Sequence, residues 1–112
     1  MDKKLRYHKI ILELLAEYVD FWHNDDDIER KVLYDEKSKT YTLLYYGWQY
    51  GKRYLHGISF HLQLKGESVW IHQNNTQYLI ADELIENGIA KEDIVLGFLH
   101  EPKLHEPILA MV

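Results

Sequence analysis

The chain has 112 residues, room for one domain with one core and too little for two. Hydrophobic residues make up 46% and charged residues 28%, the balance of a folded soluble protein, and the absence of cysteine excludes disulfides and thiolate metal clusters and makes a reducing cytoplasm the expected compartment. A net charge of -5 disfavours a grip on DNA through phosphate neutralisation.

Leu5, His8, Leu12, Leu15, Val19 and Trp22 recur at alternating steps of three and four, with Ile11 and Tyr18 widening the stripe. That spacing predicts an amphipathic helix, with Asp2 as its N-cap and 23–27, His-Asn-Asp-Asp-Asp, as its end. From residue 29 to 73 the period changes to two. Residues 29–35 and 40–46 are β-rich runs on either side of a turn-like 36–39. The two glycines of 47–51 suit a loop where the chain reverses. Residues 52–64 form a longer strand, in which Gly57 is expected as a bulge or a point of close contact. A turn at 64–67 leads into a fourth strand, 68–73.

Residues 76–87 return to helical spacing, with Asn75 or Thr76 as cap. Gly88 followed by Ile89 predicts a Schellman end in which Ile89 packs on Leu84. Residues 90–93 add a further turn, and 94–98 fits a short strand or a buried extended segment. Pro102 and Pro107 bias the tail, 98–112, toward extended geometry. The fold class is α+β in one domain spanning 1–112. Its order is an N-terminal amphipathic helix, a four-stranded antiparallel meander, a second helix, a short C-terminal strand and an extended tail. No apolar run approaches the roughly eighteen residues that span a bilayer, so no membrane association is expected.

The stretch 56–72 holds three histidines. With 64–67 as the turn, Ile58, Phe60, Leu62 and Leu64 share the core face with Val69 and Ile71. His61 then faces the other way, opposite Trp70, with His72 diagonally beside it and opposite Ser59. His56 points to the core side unless Gly57 bulges. Three-histidine coordination fails on this parity. A pair made of His61 and His72 falls short of the three protein ligands of a catalytic zinc. The expected reading is a half-exposed face of histidine and tryptophan, where such a cross-strand contact adds a few tenths to roughly 1 kcal/mol.

The tail repeats His100-Glu101-Pro102 as His105-Glu106-Pro107. A step of five matches neither the strand period nor polyproline II, so a solvated or partner-contacting tail is expected there. No phosphate-cradling loop, cysteine nucleophile or serine elbow is present, and 23–27 lacks the glycine and distal glutamate of a calcium loop. No cofactor is expected. The nine tyrosines and three tryptophans are assigned to the core edge and to interfaces. Covering so many aromatics in a small domain suggests a homodimer.

Gly47-Trp48, Arg53-Tyr54-Leu55-His56-Gly57, His61, Val69-Trp70-Ile71-His72, Thr76, 80–89 and 91–98 follow one another in an order and spacing that, with the opening helix, resembles the XisI family. These are the excision controlling factors of the cyanobacterial fdxN element, and the resemblance covers nearly the whole chain to about residue 98. It implies a small α+β protein without known catalysis. It also implies partners, since the founding member is required with a nuclease-like XisH-type protein and a site-specific recombinase for programmed excision of a DNA element. The chain departs from the family pattern at Asn74-Asn75-Thr76, where an acidic-glycine turn commonly precedes the threonine. It departs again at Ala90, where proline is common, and in the divergent tail 98–112.

The leading expectation is therefore a non-enzymatic regulatory subunit that binds a XisH-like partner, within reach of a recombinase complex. Its expected partner surface is Trp48, Arg53, His56, His61, Trp70 and His72, since Trp and Arg most often anchor interfaces. Two alternatives are weighed beside it. One is a direct DNA-binding accessory factor using Lys3, Lys4, Arg6, Lys9 and Lys52–Arg53. The other is a metal-dependent enzyme on His61 and His72.

Overall fold

Helix α1 runs from Lys3 to Phe21, and Asp2 caps it by accepting a hydrogen bond from the Lys4 backbone N–H at 3.3 Å. The computed structural model describes residues 2–22 and 27–99. The acidic segment expected to end the helix at 23–26, and the tail with its two His-Glu-Pro repeats, lie outside the described residues. The buried stripe of α1 is Tyr7, Ile11, Leu14, Leu15 and Tyr18. It is rotated from the expected one: Leu5 is exposed, while His8, Leu12 and Val19 are half-buried. Tyr7 and Leu14 are the additions, while Ile11 and Tyr18 stood on the expected stripe. The Tyr7 hydroxyl donates to Asp93 at 2.6 Å and that of Tyr18 to Glu83, so both rings enter the core with their polar ends satisfied.

Strands β1 (Ile28–Asp35), β2 (Thr40–Gln49), β3 (Arg53–Lys65) and β4 (Ser68–Asn74) form the expected antiparallel meander. The short β5 (Ile94–Leu96) adds to β4 in parallel and completes a five-stranded mixed sheet in chain order. The β1–β2 turn is held by Asp35, which accepts from the Ser38 backbone N–H at 3.0 Å and from its hydroxyl at 2.5 Å. The reversal between β2 and β3 comes later than expected, at Tyr50–Gly51, where φ is +54° and +67°. Gly47 lies inside β2, paired with Ile28 on one side and Leu55 on the other. Its φ is +141°, and a side chain there would begin with a Cβ only 2.0 Å from the Asp27 carbonyl oxygen, so the position has room for glycine alone.

The β3–β4 turn is tighter than expected. Lys65 faces Ser68 across Gly66–Glu67, so Leu62 faces Ile71 and Leu64 faces Val69. The pairing is displaced by two residues, an even step, which by itself leaves each side chain on its expected face. The bulge in β3 falls at Ser59, between the pairs Leu43–Phe60 and Leu44–Ile58, and not at Gly57. Gly57 is instead the close-contact point: a Cβ there would come within 2.6 Å of the Tyr45 hydroxyl. Because Ser59 is the extra residue, Ser59 and Phe60 are both buried, and Ile58 leaves the core for the outer face. A second bulge makes His72 the extra residue of β4, between the pairs His61–Gln73 and Leu62–Ile71.

Helix α2 is shorter than its periodicity suggests, Ile80–Glu86. The five residues before it form a turn built by side chains. Asn74 Oδ1 accepts from the Thr76 N–H and hydroxyl at 2.9 and 2.7 Å, and Asn74 Nδ2 donates to the Tyr78 carbonyl at 2.7 Å. Thr76 Oγ1 in turn accepts from the Tyr78 N–H at 3.0 Å, so Thr76 caps this turn and not the helix. The Schellman end is as expected: Ile89 N–H donates to Leu84 and Gly88 N–H to Ile85, at 3.0 and 3.1 Å, and Ile89 is buried.

Both helices pack on one face of the sheet, where Tyr41, Leu43, Phe60, Leu62, Leu64, Val69 and Ile71 meet Ile11, Leu14, Leu15, Ile80 and Leu84. Among the described residues no α-helix covers the opposite face, and only the 3-10 turn Gly97–Leu99 meets it, beside Trp70 and His72.

Candidate interaction surface

Strand alternation places on that outer face the rows Leu33–Thr42–His61, Lys31–Leu44–Ile58, Glu29–Tyr46–His56 and Trp48–Tyr54. The bulge at Ser59 decides this for His56. Without it the five-residue step from His61 would turn His56 to the core; with it His56 is exposed beside Tyr46. The β2–β3 hairpin is the most aromatic part of the surface. Trp48 and Tyr54 are each 52% exposed and meet edge-on at 5.4 Å, and Tyr50 at the tip is 82% exposed. Lys52 and Arg53 flank the tip, both exposed. Alternation sends Arg53 to the opposite side of β3 from Tyr54 and His56, so it does not share their face.

A second group gathers around β4. The rings of His61 and His72 lie 4.9 Å apart, His72 Nε2 is 2.9 Å from Gln63 Oε1, and Trp70 stacks on His72 at 6.1 Å. Lys65 sits 4.3 Å over the Trp70 ring. The expected cross-strand partners differ: Trp70 faces Gln63 and His61 faces Gln73, and the second bulge brings His72 to His61. His72 titrates below the usual histidine range because burial disfavours its cation and the positive charges of His61 and Lys65 add to the penalty. It is therefore neutral at pH 7 and able to exchange a hydrogen bond with Gln63.

The six residues singled out in the sequence thus separate into Trp48, Arg53 and His56 near the hairpin and His61, Trp70 and His72 around β4. Five strand positions, roughly 16 Å, divide His56 from His61. Among the described residues no group of three or more His, Cys, Asp or Glu is placed to hold a metal ion. The cations weighed for DNA contact are also apart. Lys3 is paired with Asp93 at 3.0 Å and Glu67 at 3.8 Å, and Arg6 donates to the Gly88 carbonyl at 2.9 Å. Those residues sit at the β3–β4 turn end. Lys52 and Arg53 lie at the other end of β3, roughly 40 Å of strand away, so the two groups do not form one stripe.

Tyr50 and Tyr54 were not singled out in the sequence, although Tyr54 lies two residues from His56, one strand period away. A cavity of about 570 Å³ on the helix side of the hairpin was not legible at all. Trp22, Arg30, Tyr45, Asn75, Thr76 and Tyr78 line it from four separate segments. In it the Arg30 guanidinium lies 5.5 Å over the Trp22 ring and donates to the Trp22 carbonyl at 2.9 Å.

A helix layer on one side of a sheet and an open aromatic and histidine-bearing face on the other define a small α+β protein with a broad surface to offer. The profile of the XisI protein family matches residues 1–106, and the chain belongs to that family. It is 31% identical to a XisI-like protein from Anabaena variabilis of known crystal structure, with a TM-score of 0.77 over 88% of this chain and 89% of that one. It is 32% identical to the fdxN element excision controlling factor XisI from Anabaena variabilis, with a TM-score of 0.71 over 90% of this chain and 96% of that one. No curated protein matches the chain. The resemblance carried by the hairpin, the β4 motif and the 80–98 segment is therefore borne out, and so is the α+β fold that it implied.

Proposed function

We propose that this chain is a non-enzymatic regulatory subunit that binds a XisH-like, nuclease-fold protein and controls excision of a DNA element or a related nuclease activity. The observation that carries the reading is the uncovered sheet face, on which Trp48, Tyr54, His56, His61, Trp70 and His72 stand exposed or half-buried. Large amphipathic aromatics at partly wet positions are the groups that most often anchor protein interfaces. The relative described as an excision controlling factor supports the excision role. The net charge of -5 and the separation of the basic groups favour a protein partner over direct DNA contact. In this reading the protein works in the cytoplasm, without a cofactor, and meets a site-specific recombinase through its partner. Co-expression with a XisH-like protein tests the proposal: the two should elute together in mild salt, and separate elution would overturn it.

A further inference from the structure

The inward side of α1 is accounted for by Tyr7, Ile11, Leu14, Leu15 and Tyr18. At about 100° per residue the opposite side carries Leu5, Arg6, Lys9, Glu13, Ala16, Glu17 and Asp20, and all seven are exposed. Their charges are segregated. Lys3, Lys4, Arg6 and Lys9 occupy the first half of the helix, and Glu13, Glu17 and Asp20 the second. The first turn of α1 has no acidic residue and the last turn no basic one. Beyond the Asp2 cap that is the unfavourable polarity for a helix on its own, since cations then follow at the positive end of the backbone dipole and anions gather at the negative end.

A second copy of the same helix, laid antiparallel, resolves the conflict. Lys9 and Glu17 lie four residues either side of Glu13. With a two-fold axis passing near Glu13, Lys9 therefore falls opposite Glu17 of the second copy. The same operation repeats the pair, as an isologous contact requires. The two dipoles then oppose each other. Leu5 and the half-buried Leu12, seven residues apart, with Ala16 beyond them, supply an apolar strip beside the charged row.

We infer that the exposed side of α1 is a self-association surface, on which two copies of this chain pair their first helices antiparallel about Glu13. This inference is independent of the partner reading, because it uses the helix layer and leaves the open sheet face untouched. It also makes a prediction that general charge attraction does not. Glu13 meets its own counterpart at the axis and is the like-charge contact of the seam.

Sedimentation equilibrium on the full chain tests it, with circular dichroism confirming that each variant is folded. At about 50 mM salt the chain should dimerise, and at about 500 mM association should weaken several-fold. Lys9→Glu or Glu17→Lys alone should weaken dimerisation about tenfold, while the double variant Lys9→Glu with Glu17→Lys should recover most of that loss. Glu13→Gln should tighten the dimer. A chain that stays monomeric at low salt, a double variant no better than the singles, or a Glu13→Gln that weakens association would each overturn the inference.

Discussion

Replacing Gly47 with alanine puts the geometry of the β1–β2–β3 junction to a quantitative test. Two separate costs are expected. The φ of +141° is a conformation that L side chains rarely adopt, and holding a residue there costs about 1–3 kcal/mol. The added Cβ would also stand 2.0 Å from the Asp27 carbonyl oxygen and 3.0 Å from Ile28 Cα, both backbone atoms that cannot swing aside. Relieving that overlap means drawing the start of β1 away from β2 and losing about one ladder hydrogen bond, a further ~1 kcal/mol. Together the loss is about 2–4 kcal/mol, a sizeable share of the 5–15 kcal/mol typical of a domain. At roughly 4 °C per kcal/mol for this size, the melting temperature should fall by about 8–16 °C.

Gly51→Ala provides the control. Its φ is +67°, but no heavy atom lies within 4 Å of where its Cβ would stand, so it carries strain of about 1 kcal/mol without the clash. Urea denaturation followed by tryptophan fluorescence gives both values. If Gly47→Ala costs no more than Gly51→Ala, contact with the Asp27 carbonyl is not what reserves position 47 for glycine.

Three further outcomes are expected. Ile89→Ala, which removes the buried residue closing the Schellman end on Leu84, should cost about 2–5 kcal/mol in urea melts, whereas a loss under about 1 kcal/mol would remove Ile89 from the core account. His72 is held below its ordinary range by burial first and by His61 and Lys65 next, so its neutral form stabilises the fold; that contribution is full above about pH 6.5 and fades as the pH falls through the lower folded value. His72→Gln should flatten the slope of the urea midpoint across that window, and an unchanged slope would place the titration elsewhere. Trp48→Ala and Tyr54→Ala, both half-exposed at the hairpin, should shift stability by no more than about 0.5–1 kcal/mol yet weaken partner capture about tenfold or more in a pull-down with the XisH-like protein.

What could be read from the sequence was whatever local chemistry sets. The Schellman end at Gly88–Ile89 and the turn at 36–39 need only a few adjacent residues, and both stand where expected. The β3–β4 pairing was displaced by two positions, but an even displacement preserves faces, so His61 and Trp70 were assigned to the outer side correctly. The bulges at Ser59 and His72 were not legible, because neither residue type marks a bulge. They are set by how β3 meets β2 and how β4 meets β3, and they move Ile58 out of the core and bring His72 onto His61. The rotation of α1 has a related origin: Tyr7 counts as core only once Asp93, far along the chain, supplies its hydrogen-bond partner, whereas Tyr18 already stood on the expected stripe. Arg53 matched the family motif but lies on the other side of its strand, since a motif records spacing and not direction.

The rims of the sheet bear on how this molecule stays discrete. At one rim β1 presents Glu29, Lys31 and Asp35 on alternate positions, and a charged edge strand of this kind resists zipping onto another. At the other rim β5 is three residues long and gives way at once to a 3-10 turn at Gly97–Leu99. It offers too short a ladder for another strand to extend, and beyond it the bulge at His72 interrupts β4. A sheet with a bare aromatic face would otherwise be prone to endless edge-to-edge growth. Charge at one border and brevity at the other steer contacts with the sheet to its broad side, so a finite assembly is favoured over a fibre.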